Sequence, residues 1–141
     1  MPGDEIARFE EKLVQHAPDA IVYADIGGII RYWNTGAERL FGFSALEAVG
    51  RTLDLIIPEN LQARHWSGYN EVMLTGRSRY ATDQLLAVPA LRKDGTRISV
   101  ELTIVPIQDE DGQMRGLGAI IRDVTQRFEE LKRLRAEVKG R

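Results

Sequence analysis

One of the two histidines of this chain, His65, lies in the stretch ENLQARHWSGYNEVMLTG, from Glu59 to Gly76. Trp66 follows it directly and Tyr69 comes four residues later, so the imidazole and the phenol share one face of a predicted helix. An imidazole can ligate a metal, form a buried hydrogen bond or remain exposed to water. The sequence leaves these three interpretations of His65 open.

The composition excludes several kinds of chemistry. The 141 residues include no cysteine, which rules out disulfides, thiolate metal sites, cysteine nucleophiles and photochemistry that needs a cysteine adduct. The net charge is −2, and interspersed acids and bases do not predict a nucleic-acid surface. No apolar run approaches the roughly 18 residues of a membrane span, and the N-terminus has no signal core. We expect a cytoplasmic protein without direct nucleic-acid or membrane contacts, and no motif predicts an enzyme.

The first half of the chain predicts one helix, a hairpin and several short helices. A helix over Asp4–Gln15 is followed by two apolar β-type runs that are joined at the sequence DIGG, a strong hairpin signal. Asn34 or Thr35 is expected to cap the next helix. Ser44 with Glu47 three residues later predicts a capping box.

The second half predicts a longer helix, an antiparallel sheet and a charged C-terminal helix. The helix is predicted over Glu59–Leu74, and two long strands, Arg79–Leu91 and Thr96–Ile107, meet at the turn RKDG. A third strand is predicted over Gly116–Val124 and a last helix over Thr125–Val138. Consecutive hairpins imply an α+β fold, with helices that cover one face of an antiparallel sheet.

This order of elements and three particular segments resemble a PAS sensor domain. The segments are DAIVYADIGGIIRYWNTGAERLFGFSALEAVGRTLDLIIPE, RKDGTRISVELTIVPI and GLGAIIRDVTQR, and the resemblance extends from Asp19 to about Arg127. It implies a five-stranded antiparallel sheet in the order 2-1-5-4-3, with helices over one face. The expected units are an N-terminal flanking helix (1–17), the PAS domain (18–125) and a C-terminal signalling or dimerisation helix (126–141). Fold alone does not choose between ligand sensing, redox sensing, light sensing and dimerisation.

The segment PENLQARHWSGY resembles the haem-binding PAS domains of bacterial oxygen-sensing kinases and phosphodiesterases. Those domains have a proline-initiated helix, a histidine about seven residues on and a tyrosine shortly after it; the matching positions here are Pro58, His65 and Tyr69. In that subgroup the histidine is the proximal iron ligand. The resemblance therefore implies haem b held by His65, in a sensor of a diatomic gas or of redox state.

The expected cofactor pocket combines α-helical and strand residues: His65, Trp66, Tyr69, Leu85, Leu86, Ile104 and Ile120. The subgroup carries an arginine on the strand before the KDG turn, where this chain has TDQLLAV, and Gln84 is the nearest polar side chain. A leucine-lined distal side predicts five-coordinate iron with weak hydrogen bonding to bound oxygen. Met73 and Met114 are candidate sixth ligands, although neither lies at the family's position.

Other occupants of the pocket stay open. A flavin is the weaker cofactor candidate, since the cysteine-dependent version is excluded and the spacing of the polar candidates Asn34, Gln84 and Trp66 is not diagnostic. The alternative function is a cofactor-free or small-metabolite-binding PAS module that mediates dimerisation and protein–protein signalling. In that case His65 is a half-exposed residue bonded to a backbone carbonyl.

The terminal helices predict self-association. A short seam with alternating spacings of four and three runs along the C-terminal helix: Val124, Phe128, Leu131, Arg135 and Val138. One helix this short is marginal alone. Two such helices paired across a dimer would be stable, as would docking on the N-terminal helix through Ile6, Phe9 and Leu13. We expect a homodimer through the terminal helices and, from the resemblance, a downstream or fused output domain such as a histidine kinase or transcription regulator.

Overall fold

A computed structural model describes residues 2–77 and 85–140. In chain order the helices and strands are α1 (Pro2–His16), β1 (Ala20–Asp25), β2 (Ile30–Trp33), α2 (Thr35–Phe41), α3 (Ala45–Ala48), two 3₁₀ turns (Leu53–Ile56 and Glu59–Leu61), α4 (Gln62–Thr75), β3 (Leu86–Leu91), β4 (Arg97–Gln108), β5 (Met114–Asp123) and α5 (Thr125–Lys139). Among these residues, none of the helices is both long and apolar enough to cross a membrane.

The five strands form one antiparallel sheet in the order β2-β1-β5-β4-β3. This confirms the strand order and the α+β fold expected from the sequence. Of the predicted strand Arg79–Leu91, the described residues include β3 at Leu86–Leu91, and residues 78–84 lie outside the described part. The DIGG hairpin is confirmed, because Gly28 has a φ of 81° and its N–H donates to the carbonyl of Asp25.

The sheet has a buried inner face and a partly exposed outer face. Inward-pointing residues alternate along the strands and form the core with Phe41 and Trp33: Ala20, Val22, Ile98, Val100 and Ile121. The opposite face carries Ile21, Ile120 and Thr103, which pair across β1, β5 and β4, and Tyr23, which pairs with Tyr32 on β2. Alternation along each strand therefore decides which residues can face the helices.

The side chain of Asn34 joins the start of the core to α1. Its Oδ1 accepts from the backbone N–H groups of Ile21 and Ala37, at 2.8 and 2.9 Å. Its Nδ2 donates to the carbonyls of Val14 and Asp19, at 2.8 and 3.1 Å. Asn34, rather than Thr35, is thus the N-cap of α2, and it holds the end of α1 against the sheet.

The capping box of α3 is also confirmed. The Ser44 hydroxyl accepts from the Glu47 N–H, and the Glu47 carboxylate accepts from the Ser44 N–H at 2.9 Å. Lys93, in the β3–β4 turn, donates to the same carboxylate at 2.6 Å. One side chain therefore ties the short helix to the far hairpin.

Candidate functional site

Helix α4 carries the aromatic cluster that the sequence singled out. Pro58 is followed by a 3₁₀ turn, after which α4 runs to Thr75 and ends at Gly76, whose φ of 71° suits a helix C-cap. The spacing of Tyr69 and Val72 places both on the face that packs against the domain, and both are buried. The helix therefore presents one aromatic and aliphatic edge inwards.

Trp66 is fixed at both ends of its indole. Nε1–H donates to Asp54 Oδ1 at 2.7 Å, and Asp54 lies in the 3₁₀ turn Leu53–Ile56. The six-membered ring lies against the backbone of Gly28 in the β1–β2 turn, with no room for a side chain there. Trp66 consequently connects α4 to two neighbouring segments.

Tyr69 reaches the end of β1. Only 5% of it is exposed, and its hydroxyl donates to the backbone carbonyl of Asp25 and lies 3.3 Å from that of Ala24. Burial, and then the neighbouring Asp25 carboxylate, raise the pKa of Tyr69 far above its usual range. The phenol is therefore a neutral hydrogen-bond donor that ties α4 to the strand.

His65 packs against both of these aromatic residues. Its ring centroid is 4.8 Å from that of Trp66 and 5.8 Å from that of Tyr69. Its Nδ1 is buried and has no hydrogen-bond partner among the described residues. Burial lowers the pKa of His65, although the Asp54 carboxylate opposes the shift, so the neutral imidazole is favoured. A buried neutral imidazole with an unused nitrogen is what a metal ligand or a hydrogen-bonding ligand would need.

The inner face of β3 and β4 supplies an apolar wall. Leu86 pairs with Leu102, which pairs with the core residue Ile121 on β5. Ile104 pairs with Ala119, which pairs with the buried Val22. Leu86, Leu102 and Ile104 therefore share the inner face, and all three are only partly buried by the described residues.

Two of the predicted pocket residues do not belong to this wall. Instead of lying in the pocket, Ile120 lies on the outer face of the sheet, where it pairs with Ile21 and Thr103 and is 42% exposed. Side chains alternate along a strand, and its neighbour Ile121 takes the inward position. Leu85 lies just before β3 and is 61% exposed. Gln84 lies outside the described residues.

The two methionines do not fit as sixth ligands opposite His65. Met114 Sδ lies 3.7 Å from where a Cβ of Gly76 would be, at the C-terminal end of α4, and it accepts from Gln108 Nε2. Position 76 is about 16 Å along the helix axis from His65, at 1.5 Å per residue. Met73 lies on α4 itself, about 12 Å along from His65. No group of three or more His, Asp or Glu side chains within residues 2–77 and 85–140 could hold a metal ion.

Three residues of the site were missed at the level of sequence: Asp25, Gly28 and Asp54. The sequence DIGG predicts Asp25 and Gly28 only as residues of a hairpin turn. The sequence signal for Asp54 is that it is the charged residue of the apolar segment LDLII. Its partner Trp66 is twelve residues away in the chain. Such a contact becomes visible only once the helix is placed on the hairpin.

The chain belongs to the PAS family of sensory domains. The sequence profile described as PAS fold matches residues 14–129, which include the whole sheet and the aromatic cluster. That match and the fold together confirm the family expected from the sequence motifs.

Two curated relatives are similar over most of the chain. "Sensor protein FixL" of Bradyrhizobium diazoefficiens is 33% identical over 123 residues, which cover 83% of this chain and 23% of that protein. A protein of Azorhizobium caulinodans is 33% identical over 111 residues, which cover 78% of this chain and 15% of that protein. The chain therefore spans less than a quarter of the length of either relative.

Solved structures have the same fold. The PAS domain of a protein from Colwellia psychrerythraea superimposes with a TM-score of 0.75 at 29% identity, covering 86% of this chain and 98% of that one. An RNA-binding Light-Oxygen-Voltage receptor gives a TM-score of 0.80 at 22% identity, covering 99% of this chain and 39% of that one. The second likeness concerns the fold alone.

Proposed function

We propose that this chain is the sensory PAS domain of a bacterial-type signal-transduction protein, and that it binds haem b through His65 to sense a diatomic gas or redox state. The observation that carries the proposal is the buried Nδ1 of His65, which has no hydrogen-bond partner among the described residues. The likeness of PENLQARHWSGY to haem-binding PAS segments supports the same assignment. The similarity to a protein named as a sensor supports the signalling role.

The residues present fit such a group. Burial lowers the pKa of His65 and so favours the neutral imidazole, which is the form that ligates iron. The rings of Trp66 and Tyr69 pack against the ring of His65, and Leu86, Leu102 and Ile104 on the inner face of the sheet would help to exclude water. When bound, haem supplies an iron that takes up a gas or an electron. The wall offers no hydrogen-bond donor, so a gas that does not depend on a polar contact would be favoured.

We also propose how the chain assembles and to what kind of domain it passes its signal. The chain would act as a homodimer joined through its terminal helices and pass its signal to a fused or separate output domain, such as a histidine kinase or transcription regulator. The units 1–17, 18–125 and 126–141 would be the flanking helix, the sensor and the signalling helix. We place the protein in the cytoplasm, in contact with neither nucleic acid nor membrane, and assign it no catalytic activity of its own.

A visible spectrum of the purified chain after addition of haemin tests the haem proposal. We expect a Soret band that sharpens on binding and is lost in His65→Ala. The matched control is His16→Ala, because the other histidine is exposed at the end of α1. A spectrum that His65→Ala leaves unchanged, or no binding by the unaltered chain, would contradict the assignment.

A cofactor-free or small-metabolite-binding module is the second candidate. The observation in its favour is that Trp66 and Tyr69 already bond to Asp54 and to Asp25, which closes α4 against the hairpin. In that case the chain dimerises normally and stays colourless with haemin. Flavin is a third candidate ligand for the pocket. Because the chain has no cysteine, a bound flavin could not form the cysteine adduct that such photochemistry requires.

A further inference from the structure

We propose that two copies of this chain associate by packing α1 of each copy against α5 of the other. This inference rests on the proposed homodimer through the terminal helices and assigns which helix meets which. It does not depend on haem.

Both terminal helices expose apolar stripes. On α1 the residues Ile6, Phe9 and Leu13 are between 59% and 65% exposed. On α5 the residues Phe128, Leu131 and Val138 are between 47% and 73% exposed. The two helices of one chain therefore do not cover each other. Contiguous apolar side chains exposed on a single copy are typical of protein-binding surfaces.

The end of α1 and the start of α5 lie at the same end of the sheet, because Ala20 of β1 pairs with Ile121 of β5 and Arg122 donates to Asp19 at 3.0 Å. The first turn of α5 contacts β4, since the Thr125 hydroxyl accepts from the Ser99 N–H and Arg127 pairs with Glu101. Helix α1 is held at its C-terminal end, where the carbonyl of Val14 accepts from Asn34.

The outer face of the sheet exposes further apolar side chains. Val105 on β4 and Ile120 on β5 are both more than 40% exposed. These side chains add to the apolar surface that the described part of one copy leaves uncovered.

Charge argues against pairing α5 with a second α5. With Phe128 and Leu131 at heptad positions a and d, the next a position is Arg135, and the flanking e positions are Lys132 and Lys139. Two such helices side by side would bring cations together along the whole seam. Like charges at these positions select against a pairing.

Acids predominate beside the stripe of α1. With Ile6, Phe9 and Leu13 at positions a, d and a, the flanking g and e positions are Glu5, Glu10 and Lys12. Packing α1 on α5 of the partner would place acids beside the bases of α5 and bury both apolar stripes. Two-fold symmetry makes the contact twice in each dimer, which compensates for the short length of the helices.

Disulfide trapping tests the pairing, because the chain contains no cysteine of its own. Phe9→Cys and Leu131→Cys proteins are mixed under mild oxidation and separated without reductant. We expect a mixed disulfide between the two variants as the main product, well above the self-linked product of Leu131→Cys alone. Leu46→Cys, 94% exposed on α3, measures random collision.

A self-linked Leu131→Cys product as the main species would overturn the pairing while leaving the dimer in place. A chain that sediments as a monomer and gives no mixed product above the Leu46→Cys background would overturn both the pairing and the proposed dimer. Haem binding would be untouched by either result.

Charge reversal provides an independent test by sedimentation equilibrium. Glu5→Lys with Glu10→Lys is expected to raise the dimer Kd by about tenfold, as is Lys132→Glu with Lys139→Glu. All four substitutions in one chain should restore the Kd of the unaltered protein, because each acid again meets a base. An α1 reversal without effect on the Kd would overturn the pairing; Glu110→Lys, an exposed turn residue, is the matched control.

Discussion

The indole ring of Trp66 lies so close to Gly28 that a Cβ at position 28 would be 2.2 Å from two of its carbons. The same side chain donates to Asp54, and Tyr69 one turn later donates to the carbonyl of Asp25. The helix that carries His65 is therefore fastened to the β1–β2 hairpin by two side chains that both contact the imidazole. A displacement of His65 would have to be transmitted to this hairpin or break these contacts.

Replacing Gly28 with alanine is expected to destabilise the fold by about 2–3 kcal/mol, because the methyl group meets the Trp66 ring and the φ of 81° disfavours a side chain. Urea unfolding monitored by circular dichroism measures the loss. Gly27→Ala is the matched control, since its Cβ would meet only Asp25 Oδ1 at 3.5 Å. Equal losses in the two variants would refute the contact.

Tyr69→Phe removes a buried hydroxyl donor while keeping the ring. The carbonyl of Asp25 then loses its phenolic partner, and we expect a loss of about 1 kcal/mol of unfolding free energy. Thermal unfolding should show a midpoint lowered by about 3 °C. Tyr32→Phe on the outer face is the comparison; a midpoint that falls as far there as in Tyr69→Phe would show that the buried bond contributes nothing specific.

Much of the fold followed from local signals in the sequence. The DIGG and RKDG turns, the alternation of Ile98 and Val100 with polar residues and the Ser44–Glu47 capping box each depend on residues close in the chain. Antiparallel hairpins then bring consecutive strands together without long-range information. The strand order 2-1-5-4-3 does not follow from such local signals. The position of β5 between β1 and β4 is implied by the family resemblance.

The site was only partly predictable because its contacts are long-range. His65 and Tyr69 are predictable together because they share one helical face, and Trp66 because it follows His65 directly in the chain. Their partners on the hairpin and in the 3₁₀ turn depend on how α4 is laid on the sheet. Ile120 was misplaced for a simpler reason: in the run Ala119-Ile120-Ile121 two isoleucines are adjacent, and apolar character alone does not say which one faces inwards.

Asn34→Ala is expected to cost about 3 kcal/mol, more than an ordinary capping substitution. The side chain is 1% exposed and satisfies two backbone N–H groups and two carbonyls, so its removal leaves several buried polar groups unpaired. Denaturant unfolding measures the loss. Ser44→Ala, which removes an exposed cap, should cost about 1 kcal/mol. A smaller loss for Asn34→Ala than for Ser44→Ala would contradict the role assigned to the buried amide.

Glu47 should make a defined contribution to stability in acid. The hydrogen bond from Lys93, and then that from the Ser44 N–H, lower its pKa from 4.5 to about 2. A carboxyl group with a lowered pKa binds fewer protons in the folded state, so its stabilisation is complete above pH 4.5 and disappears as the pH falls towards 2. Glu47→Gln removes the titrating group, and Lys93→Met removes the main cause of the shift.

Unfolding free energies measured across this range should therefore fall less steeply in both variants than in the unaltered protein. Glu110→Gln, in the exposed β4–β5 turn, should keep the original slope. Because Glu47 and Lys93 are both largely exposed, added salt should weaken the difference without abolishing it, since the Ser44 hydrogen bond does not depend on the ammonium group. An unchanged acid slope in Glu47→Gln would mean that the contact between α3 and the β3–β4 turn is not maintained in solution.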